Sequence, residues 1–114
     1  MTKPEITFDN FNKVDIRIGT IIEVVDFPKA KKPAYQLTID FGDLGIKKSS
    51  AQITQLYAKE DLLQKQILAI VNFKDKQIAN FISECLVLGV ENENKEVVLL
   101  QASKSAVKNG EQIS

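Results

Sequence analysis

Residues 34–41, AYQLTIDF, alternate without a break: Tyr35, Leu37, Ile39 and Phe41 are apolar, while Gln36, Thr38 and Asp40 are polar. Successive side chains of a strand point to opposite faces, so this segment predicts an antiparallel strand with one face on a core and one in water. Upstream, Val14, Ile16 and Ile18 alternate with Asp15 and Arg17, and beyond Gly19 the run TIIEVVDF is apolar on both faces. A long strand that bends at a glycine and then buries both faces predicts the opening of a small closed barrel. FGDLG supplies a turn into a third strand within GIKKSSAQIT, and QILAIVNF, ECLVLGV and EVVLLQ are further strand candidates. One interior segment has helical spacing: Ile53, Leu56 and Tyr57 fall at i, i+3 and i+4, with Leu62 and Leu63 beyond.

The predicted order is three strands, a helix and two strands. That is the layout of an OB-fold, a five-stranded barrel with its helix between strands three and four. The fold class expected is therefore all-β with a short helix, and residues 1–114 are expected to form one domain. Two apolar surpluses lie outside the barrel: Ile6, Phe8 and Phe11 near the N-terminus, and Val97, Val98, Leu99 and Leu100 near the C-terminus. Apolar residues on both faces of an edge strand ask for cover, so these extensions are expected to pack across a two-fold axis in a homodimer.

Catalytic chemistry has little to work with. The chain has no histidine and one cysteine, so an imidazole base, a triad and a thiolate zinc cluster are all excluded. Cys85 lies in an apolar strand, where a thiol acts as a small hydrophobe, and no cationic neighbour in sequence activates it. The scattered glycines form neither a P-loop nor a dinucleotide fingerprint, and Glu60 with Asp61 reads as solvated charge at a helix start. No enzyme activity, cofactor or metal is expected. With 15 acidic and 15 basic residues the net charge is zero, so a polyanion would have to meet a local patch. The lone cysteine suits a reducing compartment. No apolar run approaches the roughly 18 residues of a spanning helix, and MTKPEITFDNF lacks an apolar leader segment. A cytoplasmic location without membrane insertion is the expectation.

The polar run KKSSAQ interrupts this apolar background. Strand periodicity puts Lys48, Ser50 and Gln52 on one side and Ser49, Ala51 and Ile53 on the other. OB-folds bind oligonucleotides on the face of strands two and three, so the run is a candidate binding wall. A strand leading into a helix is also expected to offer unpaired N–H groups at the helix start, beside the hydroxyls of Ser49 and Ser50.

VDIRIGTIIEVVDFPKAKKPAYQLTIDFG, GIKKSSAQIT and NFKDKQIANFISECLVLG together resemble the family of tRNA-binding domains, and within it the CsaA-like secretion chaperones. Members are also appended to methionyl- and phenylalanyl-tRNA synthetases. The resemblance spans roughly residues 8–112 and implies an OB-fold homodimer that binds tRNA by shape and phosphate contacts. Residues 48–54 match the family's strand-to-helix block, Asn72 and Phe73 the start of its basic loop, and Ser83 and Glu84 the start of its last barrel strand. The loop then departs from the pattern. KDKQIAN brings Lys74, Asp75, Lys76, Gln77 and Asn80 where relatives carry Pro, Arg and Gly, and Ile82 stands at a place often basic. Arginine's bidentate fork is lost there, leaving lysine point charges.

The site this implies assigns phosphate contacts to Lys48, Lys74 and Lys76, and neutral hydrogen bonds to Ser49, Ser50, Gln52, Asn72 and Ser83. Phe73 reads as barrel core before base-stacking platform. PKAKKP, with Lys29, Lys31 and Lys32, reads as a solvated hairpin tip. A non-catalytic tRNA-binding dimer is thus the first reading. The alternative is a chaperone that holds unfolded or exported polypeptides in apolar grooves. Zero net charge favours the latter and the KSSAQIT block the former.

Overall fold

The computed structural model describes residues 1–104 and 107–114. In chain order the elements are α1 (Phe8–Asn12), β1 (Ile16–Asp26), β2 (Tyr35–Asp40), β3 (Ile46–Ala51), α2 (Lys59–Leu62), β4 (Gln66–Ile70), β5 (Lys76–Ile78), β6 (Phe81–Ser83), β7 (Leu86–Val87), β8 (Gly89–Glu91) and β9 (Val97–Leu99). Five strands form one antiparallel sheet in the order β3-β2-β1-β4-β7, and β5–β6 and β8–β9 are separate hairpins. With α2 between the third and fourth strands, this is the nearly closed five-stranded OB barrel that the alternation predicts.

β1 is long because it serves two neighbours. Residues 16–20 pair with β4 and residues 20–26 with β2, so the strand turns the corner of the barrel. The irregularity that accommodates the turn lies between Ile21 and Glu23, not at Gly19. Gly19 has a different task. A Cβ there would sit 2.7 Å from Ile39 Cγ2 and from the Phe41 ring, so the glycine lets two core side chains close over β1. Beyond it, Ile21 is fully buried while Ile22 and Val25 are exposed, so the run TIIEVVDF buries one face only. On β2 and just past it, Leu37, Ile39 and Phe41 are fully buried and join Ile21, Leu62, Ile67 and Ala69 as the barrel core.

α2 is shorter and later than predicted. It starts at Lys59, with the Asp61 carboxylate accepting the Ala58 N–H at 2.8 Å and two acids in the first turn complementing the dipole. Leu62 plugs the barrel floor, while Leu56 and Leu63 are exposed. Tyr57 is fixed by polar contacts: Tyr35 Oη donates to its carbonyl at 2.8 Å, and its own hydroxyl accepts the Leu99 N–H at 3.0 Å. α1 is five residues long, and Phe8 with Phe11 at i, i+3 is too short a stretch to announce a helix in the sequence. A reciprocal cap holds it, with Asn10 N–H on Thr7 Oγ1 and Thr7 N–H on Asn10 Oδ1.

The predicted strand ECLVLGV breaks at Leu88, whose N–H bonds Leu68 on β4 while its carbonyl accepts from Leu100. From there the chain leaves the barrel as the β8–β9 hairpin, which buries Leu99 and leaves Val90 and Val98 exposed. The C-terminal tail returns to its own barrel. Ile18 N–H bonds the Glu111 carbonyl at 3.0 Å, Gly110 N–H the Ile18 carbonyl at 2.7 Å, and Arg17 Nη1 the Gly110 carbonyl at 3.0 Å. Arg17 is paired with Asp15, so this arginine is a clamp on the tail. No described helix is long and apolar enough to cross a membrane.

Two outcomes are expected. Gly19→Ala forces Ile39 and Phe41 from their places and should cost about 1–3 kcal/mol in a urea titration; an unchanged midpoint would show that the core gives freely. The Cys85 thiol is pushed up to about 11 by burial. Its proton is held more tightly in the folded chain, so that contribution is full below the unfolded pKa near 9 and is lost as pH rises toward 11. Stability should fall by roughly 2–3 kcal/mol over that window, and Cys85→Ala should flatten the slope. A parallel pH dependence in the two proteins would refute this.

Candidate binding cleft

β3 is the edge of the main sheet, and what closes that edge are mainly side chains. Lys48 N–H donates to Glu84 Oε1 at 2.9 Å, and Glu84 N–H donates to the Lys48 carbonyl at 2.7 Å. Ser50 N–H donates to Ser83 Oγ at 3.3 Å. Ser49 Oγ donates to the Cys85 carbonyl at 2.9 Å, and Ser83 Oγ reaches the same carbonyl at 3.3 Å. The polar run KSS against SE is therefore the barrel's closure: two serines and a glutamate satisfy backbone groups that a full ladder would otherwise pair.

Past this closure the seam opens into a cleft of about 580 Å³. One wall is residues 50–53 and the other residues 83–87. Val97 and Leu99 of β9 line it with Val87, and the β5–β6 hairpin overhangs it with Phe73, Lys74, Lys76 and Ile78. That hairpin is braced from behind. Phe81 packs on Phe27 with ring centroids 5.4 Å apart and an interplanar angle of 56°, and Ala34 and Ile78 join them. The tip bearing Lys29, Lys31 and Lys32 is thereby tied to the hairpin that bears Lys74 and Lys76.

The structure brings together five of the predicted site residues, Ser50, Gln52, Lys74, Lys76 and Ser83, around this one cleft. The predicted alternation on β3 holds, with Ser49, Ala51 and Ile53 buried and Lys48 and Gln52 exposed. Three residues fall elsewhere. Lys48 is exposed at the closed end of the seam. Ser49 is fully buried and spends its hydroxyl on Cys85, so it holds the fold and presents nothing to a ligand. Asn72 clamps the N-terminal segment: its Nδ2 donates to the Lys13 carbonyl at 2.7 Å, and its Oδ1 accepts the Asp15 N–H at 3.0 Å. The expected helix-start N–H groups are not beside β3 either, because α2 begins at Lys59 and Asp61 caps it.

Sequence reasoning missed the apolar half of the cleft. Phe73, expected in the core, is 57% exposed and faces the opening, and Leu86 is exposed beside it. Val97 and Leu99 share one face of β9, a period-2 signal that was legible. Chemically the cleft is a surface for binding. Cys85, at its wall, holds its proton up to about 11 and is no nucleophile near neutrality. Among the described residues no group of three or more His, Cys, Asp or Glu side chains is placed to hold a metal.

Residues 16–112 match the family described as "Putative tRNA binding domain". The chaperone CsaA of Bacillus anthracis superposes with a TM-score of 0.91 at 49% identity, covering 97% of this chain and 100% of that one. The CsaA chaperone protein of Picrophilus torridus superposes at 0.89 with 52% identity, covering 96% and 100%. A methionine–tRNA ligase of Chlorobium chlorochromatii is 32% identical over 111 residues, which are 97% of this chain and 15% of the ligase. The chain thus spans a small part of the ligases it matches. It belongs to the tRNA-binding-domain family of OB-folds, among its CsaA-like members.

Proposed function

We propose that this protein is a polypeptide-holding chaperone, which captures extended apolar stretches of unfolded or export-bound chains in the cleft between β3 and β7. The observation that carries the reading is the apolar lining. Phe73 and Leu86 are exposed at the mouth of a cavity whose interior is Val87, Val97 and Leu99, a surface that gains by covering apolar side chains. Ser50, Gln52 and Ser83 supply neutral hydrogen-bonding groups along its walls, and the likeness to chaperones named CsaA over nearly the whole chain supports the same function. Zero net charge fits a ligand held by contact more than by field.

A second reading, tRNA binding, is favoured by the family match and by Lys74 and Lys76 at the cleft with Lys48 nearby. Its electrostatics are weak for a phosphate track, since Asp75 and Glu84 sit among the lysines. We further propose a homodimer. Ile6 is 70% and Phe8 85% exposed in the single chain, and Val90 and Val98 form a second uncovered pair.

Replacing Phe73 and Leu86 together by serine should lower the suppression of client aggregation several-fold with little change in melting temperature. Undiminished suppression by that variant would remove the cleft from the function. Replacing Lys48, Lys74 and Lys76 by glutamate should abolish any tRNA binding, whose salt slope in the parent should correspond to roughly 3–5 phosphates. Light scattering at micromolar concentration should give the mass of a dimer, and a monomer mass would reject that assembly.

A further inference from the structure

The hydrogen bonds along the free edge of β3 thin out toward the cleft. Because the register with β2 leaves Lys48 and Ser50 facing outward, alternate residues of this edge offer N–H and C=O groups to the seam. Lys48 is paired on both groups, by the Glu84 carboxylate and the Glu84 N–H. Ser50 has only long bonds, its N–H to the Ser83 hydroxyl at 3.3 Å and its carbonyl from the Ser49 hydroxyl at 3.4 Å. Gln52 is the next residue in the alternation, and among the described residues neither its N–H nor its carbonyl has a partner. The opposite wall repeats the pattern. The Leu88 N–H bonds Leu68, which places Leu86 and Leu88 toward β4 and turns the backbone of Val87 away from it. No described residue takes the Val87 N–H or carbonyl. Gln52 and Val87 both line the cleft, so its two walls are strand edges with free backbone groups.

We propose that the cleft binds its polypeptide by strand addition. An extended segment pairs with the β3 edge at Ser50 and Gln52, displaces the Ser83 hydroxyl, and lays alternate side chains on Val87, Val97 and Leu99. This rests on the polypeptide reading above and gives it a mechanism. Free edges in a concave site supply the affinity of main-chain bonds, while the apolar floor reads every second side chain. Charge selects the occupant further. Lys74 and Lys76 line the cleft with no salt-bridge partner among the described residues, and Glu84, held at the β3 seam by the Lys48 N–H, leaves the lining with one net positive charge. The segment that fits is apolar at alternate positions and acidic at the end that lies over these lysines.

The test uses the unmodified protein and a short soluble peptide of alternating Val and Thr ending in two Asp residues. Two further peptides carry N-methyl groups on one or the other set of alternate amides, which removes donors on one edge and leaves every side chain in place. Methylation of the set that faces Ser50 and Gln52 should weaken binding roughly tenfold or more, while methylation of the set that faces away from β3, where Val87 alone offers free groups, should cost clearly less. Hydrogen exchange of the Gln52 amide should slow when the unmethylated peptide binds. Equal affinity for all three peptides, with Gln52 exchange unchanged, would overturn strand addition and leave a chaperone that holds side chains alone. No binding of any peptide would sink the polypeptide reading and this mechanism together. Protection of the Gln52 amide by bulk tRNA and not by peptide would place a nucleic acid in the seam and overturn the proposal.

Discussion

Glu84 closes the barrel. Its carboxylate takes the Lys48 N–H and its own N–H takes the Lys48 carbonyl, so a single residue satisfies both outward groups at one point of an edge strand. At this exposed edge each such bond contributes about 0.5–1.5 kcal/mol net. Ser49 Oγ on the Cys85 carbonyl and the Ser50 N–H on Ser83 Oγ add a second and third tie. Because these ties sit at one end of the seam, the strands are free to diverge at the other. The cleft is the geometric consequence of closing a five-stranded barrel at a point and not along a ladder.

The character of the cleft is set by what passes beneath that divergence. Leu88 splits its hydrogen bonds between β4 and Leu100, which sends the chain out of the sheet and brings β9 back under the open seam. Tyr57 then fixes the depth of β9, since its hydroxyl accepts the Leu99 N–H and its carbonyl is held by Tyr35. Val97 and Leu99 therefore line the cleft instead of closing over it. The hairpin above is held by Phe27 and Phe81, a satellite core independent of the barrel's own. Floor and overhang are thus braced by separate parts of the chain, which gives the cleft fixed walls on both sides.

Much of the barrel was legible because period-2 alternation reports a buried face directly: Leu37, Ile39 and Phe41 from β2 onward, and Ser49, Ala51 and Ile53 from β3 onward, are buried on one face as the alternation requires. The helix was misplaced because Ile53 satisfies two periodicities at once, the strand behind it and the apparent 3.6-residue spacing with Leu56 and Tyr57 ahead. The β5–β6 hairpin was illegible for a different reason. Its strands are three residues each, and its turn puts Ala79 at φ 52°, a conformation that no glycine or asparagine at that position announces. Of the site, the polar rim was readable from KSSAQIT, but the roles of Ser49 and Asn72 depended on partners 36 and 57 residues away. No local pattern carries such a separation.

The chemistry of the free edge also bears on which polymer the cleft suits. Gln52 presents a donor and an acceptor side by side, and Val87 does the same across the gap. A phosphodiester offers acceptors in abundance and can take the N–H groups, but it has no donor of its own for the carbonyls, and a sugar 2′-hydroxyl recurs once per nucleotide. A polypeptide in extended form repeats donor and acceptor together at every second residue, the period of the edge itself. Its side chains then alternate between the apolar lining and solvent, which a base–sugar–phosphate repeat does not. The lysines above the cleft tolerate either ligand. The backbone groups and the apolar floor distinguish them, and both are matched by a strand.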